Sequence, residues 1–259
     1  MRVHAIQLET SLSEEPASRV ERAVALVRAQ AGADLVVLPE LWVQGGFVFG
    51  TFAETAEPLD GPTAAALAGA ARDLGAWVHG GSLVERADDG RLFNTSVLLG
   101  PDGSLAATYR KIHLFGFAGG ETTVLTAGTD IVTADLDGTT VALATCYDLR
   151  FPELFRAFVD RGAELFLVPA AWPTPRIAHW SLLARARAVE DQAFVIALNG
   201  CGDQGAARLG GRSVLVDPWG VARAEAGEDE QVLTADLDLA EVAKVRADFP
   251  VLPDRRLRQ

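Results

Sequence analysis

Short runs that are apolar at every position alternate with longer stretches of helical period from one end of this chain to the other. That interleaving constrains the fold more than any other feature. A strand apolar on both faces must be covered on both, and the helices between strands supply the cover. Residues 3–8, 35–38, 77–85, 93–99, 105–109, 131–136, 141–145, 165–169, 194–198, 213–216 and 232–237 read as strands. Residues 16–31, 63–74, 152–161, 179–191 and 239–246 read as helices. The first carries Val20, Ala23, Val24 and Val27 at helical spacing, behind a Ser13-Glu14-Glu15 start. Tight turns at Asp88-Asp89-Gly90, Pro101-Asp102-Gly103 and Asp137-Gly138 join neighbouring strands. Such turns make the sheets mixed and argue against a purely parallel, doubly wound fold. No linker, low-complexity segment or repeat of 20–50 residues divides the sequence, so residues 1–259 are expected to form one α/β domain.

Charge narrows what such a domain can bind. The 259 residues include 23 basic and 35 acidic side chains, a formal net charge of −12. Nucleic acid and anionic membrane both require a basic face, so neither is an expected partner. No apolar run approaches the ~20 residues that cross a bilayer. The opening MRVHAIQLETSLSEE alternates and then turns acidic, unlike a signal peptide. Cys146 and Cys201 are too few for a disulfide framework, which makes a reducing cytoplasm the expected compartment. His4, His79, His113 and His179 are scattered, no pair has metal-ligand spacing, and no metal site is expected.

Three residues stand out chemically. Lys111 and Lys244 are the only lysines among the 23 basic residues. A chain that otherwise writes its cations as arginine has kept Lys111 inside TYRKIHLFGF, and the two side chains are not interchangeable where a compact charge is needed. Strand alternation puts Tyr109 and Lys111 on one face and Arg110 on the other. An ammonium there can lower the pKa of a neighbouring thiol and stabilise an oxyanion. His113, two residues on, reads as a structural hydrogen-bonding group. Cys146 ends the strand VALAT and opens the polar turn Tyr147-Asp148-Leu149-Arg150 before a helix. A nucleophile so placed is exposed at the strand's end, beside backbone N–H groups that can receive an oxyanion. Taken by itself, Cys146 reads first as a small buried hydrophobe. Glu40 follows the apolar run in LVVLPELW, where Pro39 ends the ladder. It is either a loop carboxylate reaching solvent or a desolvated acid at the carboxyl end of a strand, where α/β sites are built and a general base belongs.

Carboxylate, lysine and cysteine thus follow three strands, 71 and then 35 residues apart. LPELW, YRKIHLF and CYDLRFPELFR resemble the three signatures of the nitrilase, or carbon–nitrogen hydrolase, superfamily, and the resemblance extends from the first strand to the closing FPVLPDRR. It implies Glu40 as general base, Lys111 as the lysine and Cys146 as nucleophile. It further implies Glu121, in FAGGETTVL, as a second glutamate that positions substrate and lysine. The fold implied is a four-layer αββα sandwich with two mixed sheets, assembled as a homodimer or larger homo-oligomer through helical faces. No metal or organic cofactor is implied.

AAWPTPRIAHWSLLARARAVEDQAFV resembles the omega-amidase branch of that superfamily. The activity implied is hydrolysis of a linear amide, the ω-amide of a small 2-oxo dicarboxylic acid, through a cysteine thioester with release of ammonia. The backbone N–H of Tyr147 would join Lys111 at the oxyanion. Arg150 or Arg176 would hold an anionic substrate end by a bidentate contact, although an arginine beside a helix start also serves in structural salt bridges. Phe115 and Trp172 either wall the pocket or simply pack. Hydrolysis of N-carbamoyl amino acids or of nitriles shares the same acyl-enzyme logic. Outside hydrolysis, a redox thiol pairing Cys146 with Cys201 gives no reason for Glu40 and Lys111, and a silent scaffold would be free to lose all three.

Overall fold

The computed structural model describes residues 1–117 and 119–257. The first half runs β1 (Arg2–Gln7), α1 (Pro16–Arg28), β2 (Leu35–Val37), α2 (Phe52–Thr55), α3 (Pro62–Leu74), β3 (Trp77–Arg86), β4 (Leu92–Leu99) and β5 (Leu105–Arg110). The second runs β6 (Thr133–Leu136), β7 (Thr139–Leu143), α4 (Pro152–Asp160), β8 (Leu165–Ala170), α5 (Ile177–Asp191), β9 (Phe194–Asn199), β10 (Cys201–Asp203), β11 (Arg208–Gly210), β12 (Val214–Val216), β13 (Ala222–Glu225), β14 (Gln231–Asp236) and α6 (Ala240–Asp248). Two six-stranded sheets result, ordered β14-β1-β2-β3-β4-β5 and β13-β12-β9-β8-β7-β6, with β10 and β11 as a separate ribbon. In each, two parallel contacts (β1/β2 and β2/β3, or β7/β8 and β8/β9) lie between antiparallel ones. The mixed sheets expected from the tight turns are therefore present.

Side-chain alternation along the central strands builds the layers. Val37, Leu143, Leu167 and Ile196 point inward to the core between the sheets. Val36 and Leu38 point the other way, against Val24 of α1 and Leu67 of α3. Phe166 and Val168 meet Phe155 of α4 and Trp180 of α5 on the opposite outer face. Strands with apolar residues on both faces are thus buried on both, giving helices, sheet, sheet, helices in that order. The two halves also echo each other in sequence. LVVLPELW at 35–42 and LFLVPAAW at 165–172 occupy equivalent places, β2 and β8 with the turns that follow them.

Several sequence expectations need correction. Strand 141–145 is Thr139–Leu143, because Thr145 leaves the ladder to cap the turn that follows. Strand 131–136 begins only at Thr133, and helix 16–31 ends at Arg28. Ser13, Glu14 and Glu15 supply no side-chain cap to α1; Glu14 instead pairs with Arg22 of the helix. Lys111 is the first residue past β5 rather than part of it, although it keeps the alternation: Tyr109 and Lys111 are buried and Arg110 is half-buried. The short strands β10, β11 and β13 were not expected, being glycine-containing or charged. Remaining ends shift by one or two residues, the usual fraying of boundaries.

Candidate active site

Glu40 is presented by a turn with little freedom. Pro39 follows β2, and a Cβ on Gly81, where φ is +67°, would lie 1.8 Å from the Pro39 carbonyl oxygen. Only glycine lets β3 pass this close to the backbone that carries Glu40. Leu41, the next residue, is held at φ 45°. The turn is pinned from outside by the fully buried Arg19 of α1, which donates to the carbonyls of Trp42 (3.2 Å) and Val43 (2.9 Å).

Cys146 opens a 3₁₀ turn, Cys146–Arg150, and is itself held at φ 50°. A non-glycine residue in that region persists only where its surroundings over-determine it, and Asp148 is the determinant. Thr145 and Asp148 form a reciprocal capping box, the Thr145 N–H donating to Oδ2 at 2.8 Å. Fully buried, the same carboxylate accepts Tyr109 Oη at 2.7 Å and the His113 N–H at 3.0 Å, with His113 Nδ1 at 2.7 Å from Oδ1. Tyr109 and His113 flank Lys111, so one side chain ties the lysine segment to the cysteine turn. His113 is thus the structural hydrogen-bonding group that its place in the sequence suggested.

Lys111 is 1 % exposed, and its Nζ lies 2.8 Å from Glu40 Oε1 and 2.7 Å from Glu121 Oε2. Asn94 Nδ2 bridges the same two acids, at 2.8 Å to Glu40 Oε1 and 2.7 Å to Glu121 Oε1. Glu121 Oε2 also accepts the Phe115 N–H, and Glu40 Oε2 accepts the Ala171 N–H, at 2.8 and 2.7 Å. Burial alone would lower Lys111, yet Glu121 and Glu40 outweigh it and hold the ammonium well above its ordinary value. Burial raises Glu121, and Glu40 adds to this against the pull of Lys111. Burial likewise pushes the Cys146 thiol well above its usual range, with Glu40 adding to the effect and Lys111 opposing it. Burial and Glu40 thus favour the thiol form of Cys146 over the thiolate, against the pull of Lys111.

These groups floor a narrow cleft. All nine site residues expected from the sequence line it: Glu40, Lys111, Cys146 and Glu121 at the base, with Phe115, Tyr147, Arg150, Trp172 and Arg176 above. Phe47 and Phe49 complete the wall. Arg150 lies over the Trp172 ring at 4.6 Å, and Arg176 over Phe115 at 5.6 Å. Among the described residues neither arginine pairs with a carboxylate; Arg150 has only His179 Nδ1 at 3.4 Å. The structural salt bridge open to Arg150 on sequence grounds is thus not made. Cys201 lies outside the cleft on β10, where burial pushes its thiol up to about 12, the opposite of a redox-active partner for Cys146.

Sequence reasoning missed Asn94, the role of Asp148, and the phenylalanines at 47 and 49. Two signals were available. Asn-Thr-Ser at 94–96 is a polar run inside a buried strand, and Thr145 with Asp148 has the spacing of a capping box.

A four-layer αββα sandwich with a thiol, an ammonium and two carboxylates converging at its strand ends defines the cysteine-based hydrolases of carbon–nitrogen bonds. The chain belongs to the carbon-nitrogen hydrolase family, which it matches over residues 2–247. It is 43% identical to a 2-oxoglutaramate amidase of Paenarthrobacter nicotinovorans, over 98% of this chain and 89% of that protein. It is 37% identical to the omega-amidase NIT2 of Mus musculus, over 98% and 95% of the two chains. A CN-hydrolase superfamily protein of Xanthomonas campestris, solved with an arsenic adduct in its active site, superposes with a TM-score of 0.92 at 35% identity, covering 100% of this chain and 98% of that one.

Proposed function

We propose that the protein is an amidase that releases ammonia from the ω-amide of a small dicarboxylic acid, 2-oxo acids included. The observation that carries the substrate class is the pair of arginines, Arg150 and Arg176, that line the cleft with no carboxylate partner among the described residues. In a chain of net charge −12 the overall field repels an anion, so a local pair of cations facing a nucleophile is a specific feature. The relatives whose names are 2-oxoglutaramate amidase and omega-amidase support the same class.

The chemistry follows from the floor of the cleft. Glu40 takes the proton from Cys146 as Sγ bonds to the amide carbon, because the site does not hold a free thiolate in advance. Lys111 Nζ and the Tyr147 N–H receive the oxyanion. Glu40 returns its proton to the amide nitrogen as the C–N bond breaks, and ammonia leaves behind a thioester. A water then gives its proton to Glu40 and attacks, the C–S bond breaks, the carboxylic acid departs, and the proton on Glu40 goes back to sulfur. Glu121 accepts from Lys111 and positions it. An ammonia-release screen over ω-amides, N-carbamoyl amino acids, neutral aliphatic amides and nitriles tests the reading, with Cys146→Ala as the blank. Arg150→Ala or Arg176→Ala is expected to weaken anionic ω-amides far more than neutral amides. Turnover confined to nitriles, or retained by Cys146→Ala, refutes it.

Two further proposals concern the setting. Among the described residues no helix is long and apolar enough to cross a membrane, and a cytoplasmic location suits a nucleophile that must stay a reduced thiol. A homodimer through the α4/α5 layer fits the exposed Leu182 and Val189 of α5, beside Trp219 and Phe249. Sedimentation reads its mass directly.

A further inference from the structure

Asn94 sits on β4, on the face turned toward the second sheet. Ser96 and Leu98 share that face, Ser96 reaching the Thr145 hydroxyl at 2.9 Å and Leu98 lying in the core between the sheets. Asn94 Nδ2 spans Glu40 and Glu121, while its Oδ1 is equally buried and has no partner among the described residues. Only a donor satisfies two facing carboxylates, which sets the orientation of the amide. A buried amide with an orphaned acceptor is kept for its donors. Its effect is to make the two oxygens of Glu40 unequal. Oε1 receives two donors, from Lys111 and Asn94, whereas Oε2 receives only the Ala171 N–H.

We propose that Asn94 is a positioning residue for amide hydrolysis: it clamps Glu40 Oε1 beside Glu121, so that Oε2 is the oxygen offered to the Cys146 thiol. The inference rests on the reading of Glu40 as general base. The proton moves from Sγ to Oε2 and from Oε2 to the leaving nitrogen, and Asn94 exchanges none. Its donors also stabilise the charged form of two acids that share one ammonium. Without them Glu121, already raised by burial, holds its proton to higher pH, and the acid limb of kcat/KM moves upward. Damage to packing lowers the amount of active enzyme but leaves that limb in place.

The experiment compares Asn94→Asp and Asn94→Ser with Glu40→Gln. Ammonia release from glutaramate is followed across pH, and folding is checked by near-UV circular dichroism and Tm. Asn94→Asp keeps the shape and replaces the two amide donors by a third acid; kcat is expected to fall about 10²-fold, with KM within about threefold and the acid limb raised by about one pH unit. Asn94→Ser keeps one donor in a smaller volume, so it folds even where the added acid does not, and it is expected to show smaller changes in the same directions. A folded variant of either kind with the parent's acid limb overturns the proposal, whatever its kcat. If Glu40→Gln is inactive while both Asn94 variants behave as the parent, the positioning role alone fails. If Glu40→Gln turns over like the parent, the base assignment falls and this inference with it.

Discussion

Lys111→Arg preserves the charge in a chain that favours arginine almost everywhere else, which makes it a searching perturbation. An ammonium has three N–H donors. Two are taken by Glu40 Oε1 at 2.8 Å and Glu121 Oε2 at 2.7 Å, leaving the third for the oxyanion of the proposed reaction. A guanidinium is larger and planar, so with its fork on two carboxylates it has no donor in that third, tetrahedral direction. Losing one oxyanion donor costs about 10²–10³ in kcat, or about 2.7–4 kcal/mol of transition-state stabilisation. Stability should suffer less, because the cation still faces both acids; forcing the extra atoms into a site 1 % exposed costs about 1–3 kcal/mol. Lys111→Met reverses the balance. It leaves two buried carboxylates without a cation, a loss of about 3–5 kcal/mol in fold stability. Lys244→Arg, at an exposed position of α6, is the control and should leave rate and Tm alone. Saturating-substrate ammonia release and thermal melts measure both quantities for the three variants. A folded Lys111→Arg with kcat within about threefold of the parent, less than 1 kcal/mol by the usual conversion, would refute the assignment of the third donor.

Two further substitutions test buried carboxylates outside the reaction. In Asp148→Asn, whichever oxygen becomes NH₂ faces donors, Tyr109 Oη and the Thr145 N–H on one side or His113 on the other. Orphaning two buried donors costs about 1–3 kcal/mol each, so a fall in Tm of about 5–15 °C is expected for a chain of this size; an unchanged melt would show that the cysteine turn does not depend on this joint. Asp191 closes α5 with no hydrogen bond to either oxygen among the described residues and Arg156 poorly aligned at 3.2 Å. Burial raises it from 3.8 to about 7. Because the folded value is raised, the fold gains relative stability below pH 3.8 and loses it as pH rises through 7, by up to about 4 kcal/mol. Asp191→Asn should therefore raise Tm at pH 8 and do little at pH 4; destabilisation at pH 8 would show instead that the Arg156 pair is productive.

How much of this was legible beforehand depends on the range of the forces involved. Glu40, Lys111 and Cys146 stood out because each lies within three residues of the end of a strand whose apolar pattern is local, and because a single mid-chain lysine is conspicuous among arginines. Mixed sheets were readable from the Asp-Gly turns, since a tight turn forces antiparallel pairing. Glu121 came only through resemblance; nothing in its loop marks it, and its place is set by contacts to Lys111, Asn94 and Phe115. Asn94 lies 54 residues from Glu40 and 27 from Glu121 in sequence, and Asp148 lies 39 from Tyr109. Those pairings exist because β4 and β5 of one sheet and β7 of the other end at the same cleft. The sequence by itself determined most of the strands, which of their faces are apolar, and which three residues stand where the strands end. The tertiary structure alone decided that two acids share one ammonium, that an asparagine bridges them, and that two arginines line the same cleft as Cys146 with no carboxylate partner among the described residues. Periodicity encodes the burial of a face, which is local, whereas hydrogen-bond partners across a sandwich are selected only when both sheets have packed.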